Sequence, residues 1–152
     1  MPSLKASLAF LTFSANALGA AFPKPTAAVP AATCTEGAPM TTAGYPMLYY
    51  AQATPGASAS LIGYQPEPIW ASGHLVGSCT FGVPEPIETG FAYAQFKCEY
   101  YCKNHSEGGS FFVRADGKTG SSCECYNELM DPEAFVNNNQ TLVGAWNAIC
   151  KT

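Results

Sequence analysis

A small α+β domain, with one helix packed on a short antiparallel sheet and stapled to it by disulfides, is the fold class the sequence predicts. Three observations carry that expectation. The first is Cys98-x-x-x-Cys102 inside the best helical stretch of the chain, and the second is Cys123-x-Cys125 inside a stretch that reads as strand. The third is a length of 152 residues with 47% apolar and only 12% charged side chains, beside 14 glycines and 12 prolines. That length suits one small domain. The charged share is about half the usual one, which excludes a highly charged disordered chain.

The two cysteine spacings nearly match. Helical residues four apart share a face and stand about 6 Å apart along the axis. Strand residues two apart share a face at about 6.6 Å. A helix laid on such a strand can be joined to it twice. If the chain runs helix up, strand down, hairpin, strand up, then Cys98 meets Cys123 and Cys102 meets Cys125.

Residues 1–21 read as a secretory signal: Lys5 supplies the positive end, residues 6–13 (ASLAFLTF) the apolar core, and small residues follow. Cleavage is expected after Ala17, Ala20 or Ala21. The apolar run is too short to cross a bilayer, so no membrane span is expected. Secretion places all seven cysteines where disulfides form, in an extracellular or cell-wall setting. Without Lys5, six basic residues face eleven acidic ones, with no Lys/Arg cluster. Nucleic acid and anionic membrane surfaces are therefore not expected partners.

Residues 22–44 are expected to form a flexible Pro/Ala-rich leader carrying Cys34, and residues 45–152 a single domain. Residues 45–51 (YPMLYYA) read as strand, and 53–60 as loop. In 61–77, Pro66 and Pro68 exclude a long helix and confine strands to short or edge positions. Residues 89–104 form the best helix, with Phe91, Phe96, Cys98 and Cys102 loosely on one side and Gly108-Gly109 as its stop. Residues 110–114 and 122–127 form a hairpin around the turn residues Asp116-Gly117 and Gly120. Asp131-Pro132 looks like a short helix start. The tail 141–150 fits a helix through Leu142, Ala145, Trp146 and Ile149, or a strand through Leu142, Gly144, Trp146 and Ala148.

The Cys98–Cys102 helix, the SFFVR strand and the CECY strand together resemble the PAN/apple family, in the form seen in small secreted proteins of filamentous fungi. The likeness covers roughly residues 79–150. It implies an outer disulfide between Cys79 and Cys150 and a role in binding proteins or carbohydrates. Cys34 would then be left over, free, capped, or linking two chains in a disulfide-bonded dimer. The alternative pairs Cys34 with Cys79 and leaves Cys150 over. The cystine-stabilised αβ fold of defensins also joins a CxxxC helix to a CxC strand. It differs in length, and here the 20 residues between Cys102 and Cys123 hold no cysteine.

No catalytic signature stands out, and an enzyme is not expected. Thioredoxin-like chemistry needs CxxC, which is absent, and in a secreted chain disulfides are expected before zinc, so no metal or cofactor is expected. Of the two histidines, His105 lies inside a glycosylation sequon and His74 lacks a carboxylate nearby in sequence; no GxSxG supports a triad through it. Glu85/Glu88 and Glu124/Glu128 have the spacing that chance supplies. Asn104 and Asn139 both head N-x-[ST] sequons. Trp70, Tyr64 and Trp146 are the candidate ligand-stacking rings, since exposed aromatics stack on sugar faces or anchor protein interfaces. The expected function is a secreted, non-catalytic recognition module for carbohydrate or glycoprotein. The alternative is a secreted effector or toxin-like protein acting on a host or competitor cell, though an acidic chain argues against membrane lysis. A small hydrolase using His74 is a third reading.

Overall fold

The computed structural model describes residues 33–56, 63–105, 108–116, 120–139 and 142–151. In chain order these form β1 (Met40–Thr42), β2 (Tyr45–Met47), β3 (Tyr50–Gln52), β4 (Tyr64–Pro66), α1 (Pro68–His74), β5 (Leu75–Phe81) and α2 (Ile87–His105). They continue with β6 (Ser110–Asp116), β7 (Gly120–Tyr126), a 3-10 turn (Pro132–Ala134), β8 (Phe135–Asn137) and β9 (Val143–Ala148). The fold is α+β, with an antiparallel five-stranded sheet in the order β3-β9-β6-β7-β5. Two short ribbons, β1-β2 and β4-β8, lie outside it.

The sheet separates two layers, and β6 shows why. Its Phe111-Phe112-Val113 run is buried throughout, as expected of a central strand covered on both faces. Phe111 and Val113 join Cys98, Cys102, Cys123, Cys125, Trp146 and Tyr50 in a core beneath α2. Phe112 points the other way, joining Tyr126, Met130, Phe135 and Ala145 beneath α1 and the β4-β8 ribbon. Period-2 alternation sorts β7 in the same manner, with Cys123 and Cys125 toward α2 and Tyr126 away from it.

α2 begins right after Glu85-Pro86, and Pro86 O accepts from Thr89 N and Gly90 N. A Cβ on Gly90 would fall 2.0 Å from Pro84 O, so this close approach admits glycine alone. The helix is joined to β7 by Cys98–Cys123 and Cys102–Cys125, with Cα separations of 5.5 and 5.3 Å. Both staples thus have the pairing that the cysteine spacings imply.

The remaining expectations fare differently. Cys34 bonds Cys150 across 116 residues, and Cys79 keeps a free thiol. The Cys79–Cys150 closure and the Cys34–Cys79 alternative are both overturned. The physical reason is strand pairing: β3 runs antiparallel to β9, and Thr35 bridges Ile149, so the segment at Cys34 meets the segment at Cys150. Residues 33–44, expected within a flexible leader, are held by that disulfide, by the bridge and by β1-β2 pairing. The reading of 45–51 as one strand splits into β2 and β3 at Leu48-Tyr49. Trp70 sits on a short helix rather than a loop: Pro68 occupies the first turn, and the Glu67 side chain caps it by accepting from Trp70 N. The tail is a strand. Asp131 caps the 3-10 turn, accepting from Glu133 N and Ala134 N. Residues 1–32, which include the signal-like stretch, lie outside the described residues. Among the described residues no helix is long and apolar enough to cross a membrane.

Candidate functional site

Candidate chemistry gathers on the sheet face away from α2. α1 places Trp70 and His74 one turn apart, their rings 5.0 Å from centroid to centroid. The Trp70 indole also packs on Tyr126, at 4.9 Å. Pairing of β5 with β7 brings the end of β7 beside the end of α1, and Asn127 N donates to His74 O at 3.1 Å. His74 Nδ1 then lies 3.0 Å from Glu128 Oε2 and 3.1 Å from Asn127 Oδ1. Both neighbours are acceptors, an arrangement that favours the tautomer with its proton on Nδ1.

Behind this group runs a polar relay. Tyr126 OH donates to Glu124 Oε2 at 2.7 Å, and Arg114 pairs with Glu124 Oε1 at 3.6 Å while its Nε donates to Ser122 Oγ. Burial, reinforced by the Glu124 carboxylate, pushes the Tyr126 phenol far above its ordinary range. Tyr126 therefore stays a neutral donor and a fixed support for Trp70. Ile69 beside it is 81% exposed, and Leu75 and Val76 extend an apolar rim along the edge strand β5.

The three candidate stacking rings part company. Trp70 is half-buried and keeps part of its surface in water. Trp146 is 2% exposed, stacks on Phe111 and donates its Nε1 hydrogen to Gln95 Oε1 at 3.1 Å. It is a core residue and offers no face to a ligand. Tyr64 is half-buried between Phe112 and Phe135, so its ring packs the core beneath the β4-β8 ribbon.

The other candidates are spread over the surface. Asn104 and Asn139 are exposed, while Ser106 and Thr141, which complete their sequons, lie outside the described residues. Glu124 and Glu128 each engage a partner of their own, Tyr126 with Arg114 and His74 respectively. Glu85 is exposed at the approach to α2. A carboxylate on Nδ1 is how a general-base histidine is oriented. Among the described residues no serine or threonine hydroxyl bonds His74 Nε2.

Two features had no signal in the sequence. One is a groove of about 520 Å³ between α2 and β5, lined by Cys79, Phe81, Phe96, Lys97, Tyr100 and Tyr101. The other is Glu99, fully buried on α2. Its Oε1 accepts from Tyr49 N at 2.7 Å, and Oε2 has no partner among the described residues. Burial raises its carboxyl, against the Tyr49 and Leu48 N–H groups and Lys103, which lower it. Glu99 thus ties α2 to the β2-β3 junction. Cys98, Cys102 and Cys123 bring their sulfurs within 4.8 Å of one another, but all three are disulfide-bonded and offer a metal no thiolate.

Compared with known protein families, curated proteins and solved structures, the chain matches none.

Proposed function

We propose that the domain is a secreted, non-catalytic recognition module that binds carbohydrate, free or on a glycoprotein, at the Trp70 face. The observation that carries this reading is the half-exposed Trp70 ring beside a hydrogen-bonding group made of His74, Asn127 and Glu128. Sugars present apolar C–H faces and hydroxyl edges together, and an aromatic ring rimmed by imidazole, amide and carboxylate answers both. The signal-like residues 1–21 and the three disulfides support secretion. The PAN/apple resemblance supports a binding role, and no partner of a particular identity follows from it.

The test is retention of the oxidised protein on insoluble chitin, β-glucan and cellulose. It compares wild type with Trp70→Ala, Glu128→Gln and a reduced, alkylated control. Retention that needs the disulfides and falls at least tenfold with Trp70→Ala supports the reading. Because Trp70 packs on Tyr126, Glu128→Gln serves as the variant that leaves the core untouched. Equal retention of all three folded proteins, or none on any matrix, would sink it.

A further inference from the structure

We propose that Cys79 exchanges with the Cys98–Cys123 disulfide, moving one staple from the α2–β7 contact to the β5–β7 contact. In the antiparallel register Cys79 stands directly opposite Cys123. Directly opposed strand residues have Cα atoms about 4.5–5.5 Å apart and project to the same face. A disulfide accepts Cα separations of about 4.4–6.8 Å, so a Cys79–Cys123 bond fits the backbone as it stands.

The facing is fixed by neighbouring positions. Gly77 pairs with Cys125, and a Cβ on Gly77 would lie 3.9 Å from Cys125 Sγ. Residues 77, 79 and 81 alternate onto that same face, and Cys79 packs against the cluster that holds Cys98 and Cys123. The sulfurs there are contiguous: Cys123 Sγ is 3.5 Å from Cys102 Sγ. Cys79 is half-buried at the wall of the α2–β5 groove. It is a free thiol set against a disulfide, in a chain whose other six cysteines are bonded.

The step balances without an outside reagent. The Cys79 thiolate attacks Cys123 Sγ, the Cys79–Cys123 bond forms, and the Cys98–Cys123 bond breaks. The electron pair leaves on Cys98 Sγ, which takes up the proton that Cys79 gave up. One thiol and three disulfides exist before and after. The change is positional: the free thiol moves from the groove wall to the fully buried Cys98. α2 then hangs on Cys102–Cys125 alone, and the edge strand β5 becomes locked to β7. α2 presents Lys97, Tyr100 and Tyr101 to the groove, and on β7 the residue opposite Cys79 is the fully buried Cys123. Burial raises the Cys79 thiol against the opposing effect of Lys97, so exchange is slow at neutral pH. It should quicken by about tenfold per pH unit below that pKa, as the thiolate fraction grows.

Two experiments test the proposal on the full chain. Oxidised wild type is held between pH 7 and 9, acid-quenched, unfolded in denaturant at mildly acid pH, alkylated there with N-ethylmaleimide and mapped by peptide mass. Label divided between Cys79 and Cys98, with the Cys98 share approached faster at higher pH, is the expected result. Label on Cys79 alone throughout overturns the proposal, as does label on Cys34 or Cys150, which would mean scrambling through unfolding. The second is Cys98→Ser, which leaves Cys79 and Cys123 as thiols and Cys102–Cys125 intact. Mild air oxidation should join them with a 2 Da loss and block alkylation at both. Two thiols that remain alkylatable in the folded variant overturn the geometry.

Discussion

The two faces of the sheet are held by different physics. Beneath α2 the face is closed by two covalent staples and by buried rings, with Phe111 and Trp146 at its centre. Beneath α1 no disulfide crosses, and Trp70, Tyr126 and His74 lean on one another while charged partners sit at the margin. α2 carries Lys97, Glu99 and Lys103 among its apolar residues, so its amphipathic stripe is weak and the staples offset that weakness. The difference teaches which face is free to change. The stapled face carries stability, and the face around α1 is the one we propose gives surface to a ligand.

Truncating the stapled face should cost most. Trp146→Ala removes a buried indole and orphans Gln95 Oε1, and should destabilise by about 3–5 kcal/mol in denaturant titration. Cys102→Ala combined with Cys125→Ala should cost about 2–5 kcal/mol in the same titration while leaving the Trp70 face formed. A comparable loss from Trp70→Ala would erase the distinction between the faces. That substitution should instead cost under about 2 kcal/mol, since the ring is half-buried, and its main effect should be on ligand retention.

The smallest effect concerns Glu99. Its folded-state carboxyl lies above the ordinary 4.5, so the folded chain binds this proton more readily than the unfolded chain. The contribution is full below about pH 4.5 and is lost as pH rises through the higher folded value. Thermal melts of wild type and Glu99→Gln across pH 4 to 7 should show wild type gaining on the variant as pH falls. A constant difference would mean that Glu99 titrates alike in both states.

The central hairpin and its helix were legible because their signals are local. Residues 89–104 lack proline, Gly108-Gly109 mark the stop, and the strand-forming runs 110–114 and 122–126 are separated by the turn residues Gly117 and Gly120. α1 was hidden because Pro66 and Pro68 read as breakers, although Pro68 at a first helical turn costs no hydrogen bond. At the candidate site Trp70 stood out as a ring among loop-like residues, whereas Trp146 looked equally available. Its burial depends on β9 lying between β3 and β6, which no stretch of the tail encodes. The partnership of His74 with Asn127 and Glu128 was invisible for the same reason, because it follows from β5 pairing with β7.

The sequence by itself determined the two staples between α2 and β7. Four residues of helix and two of strand rise by nearly the same length, whatever surrounds them. Tertiary structure alone decided the third bond. β3 and β9 are neighbours, so Cys34 meets Cys150, while Cys79 faces a Cys123 already bonded to Cys98. Pairing over 116 residues is a matter of which distant segments the sheet makes neighbours. Local spacing carries no information about that, and strand order carries all of it.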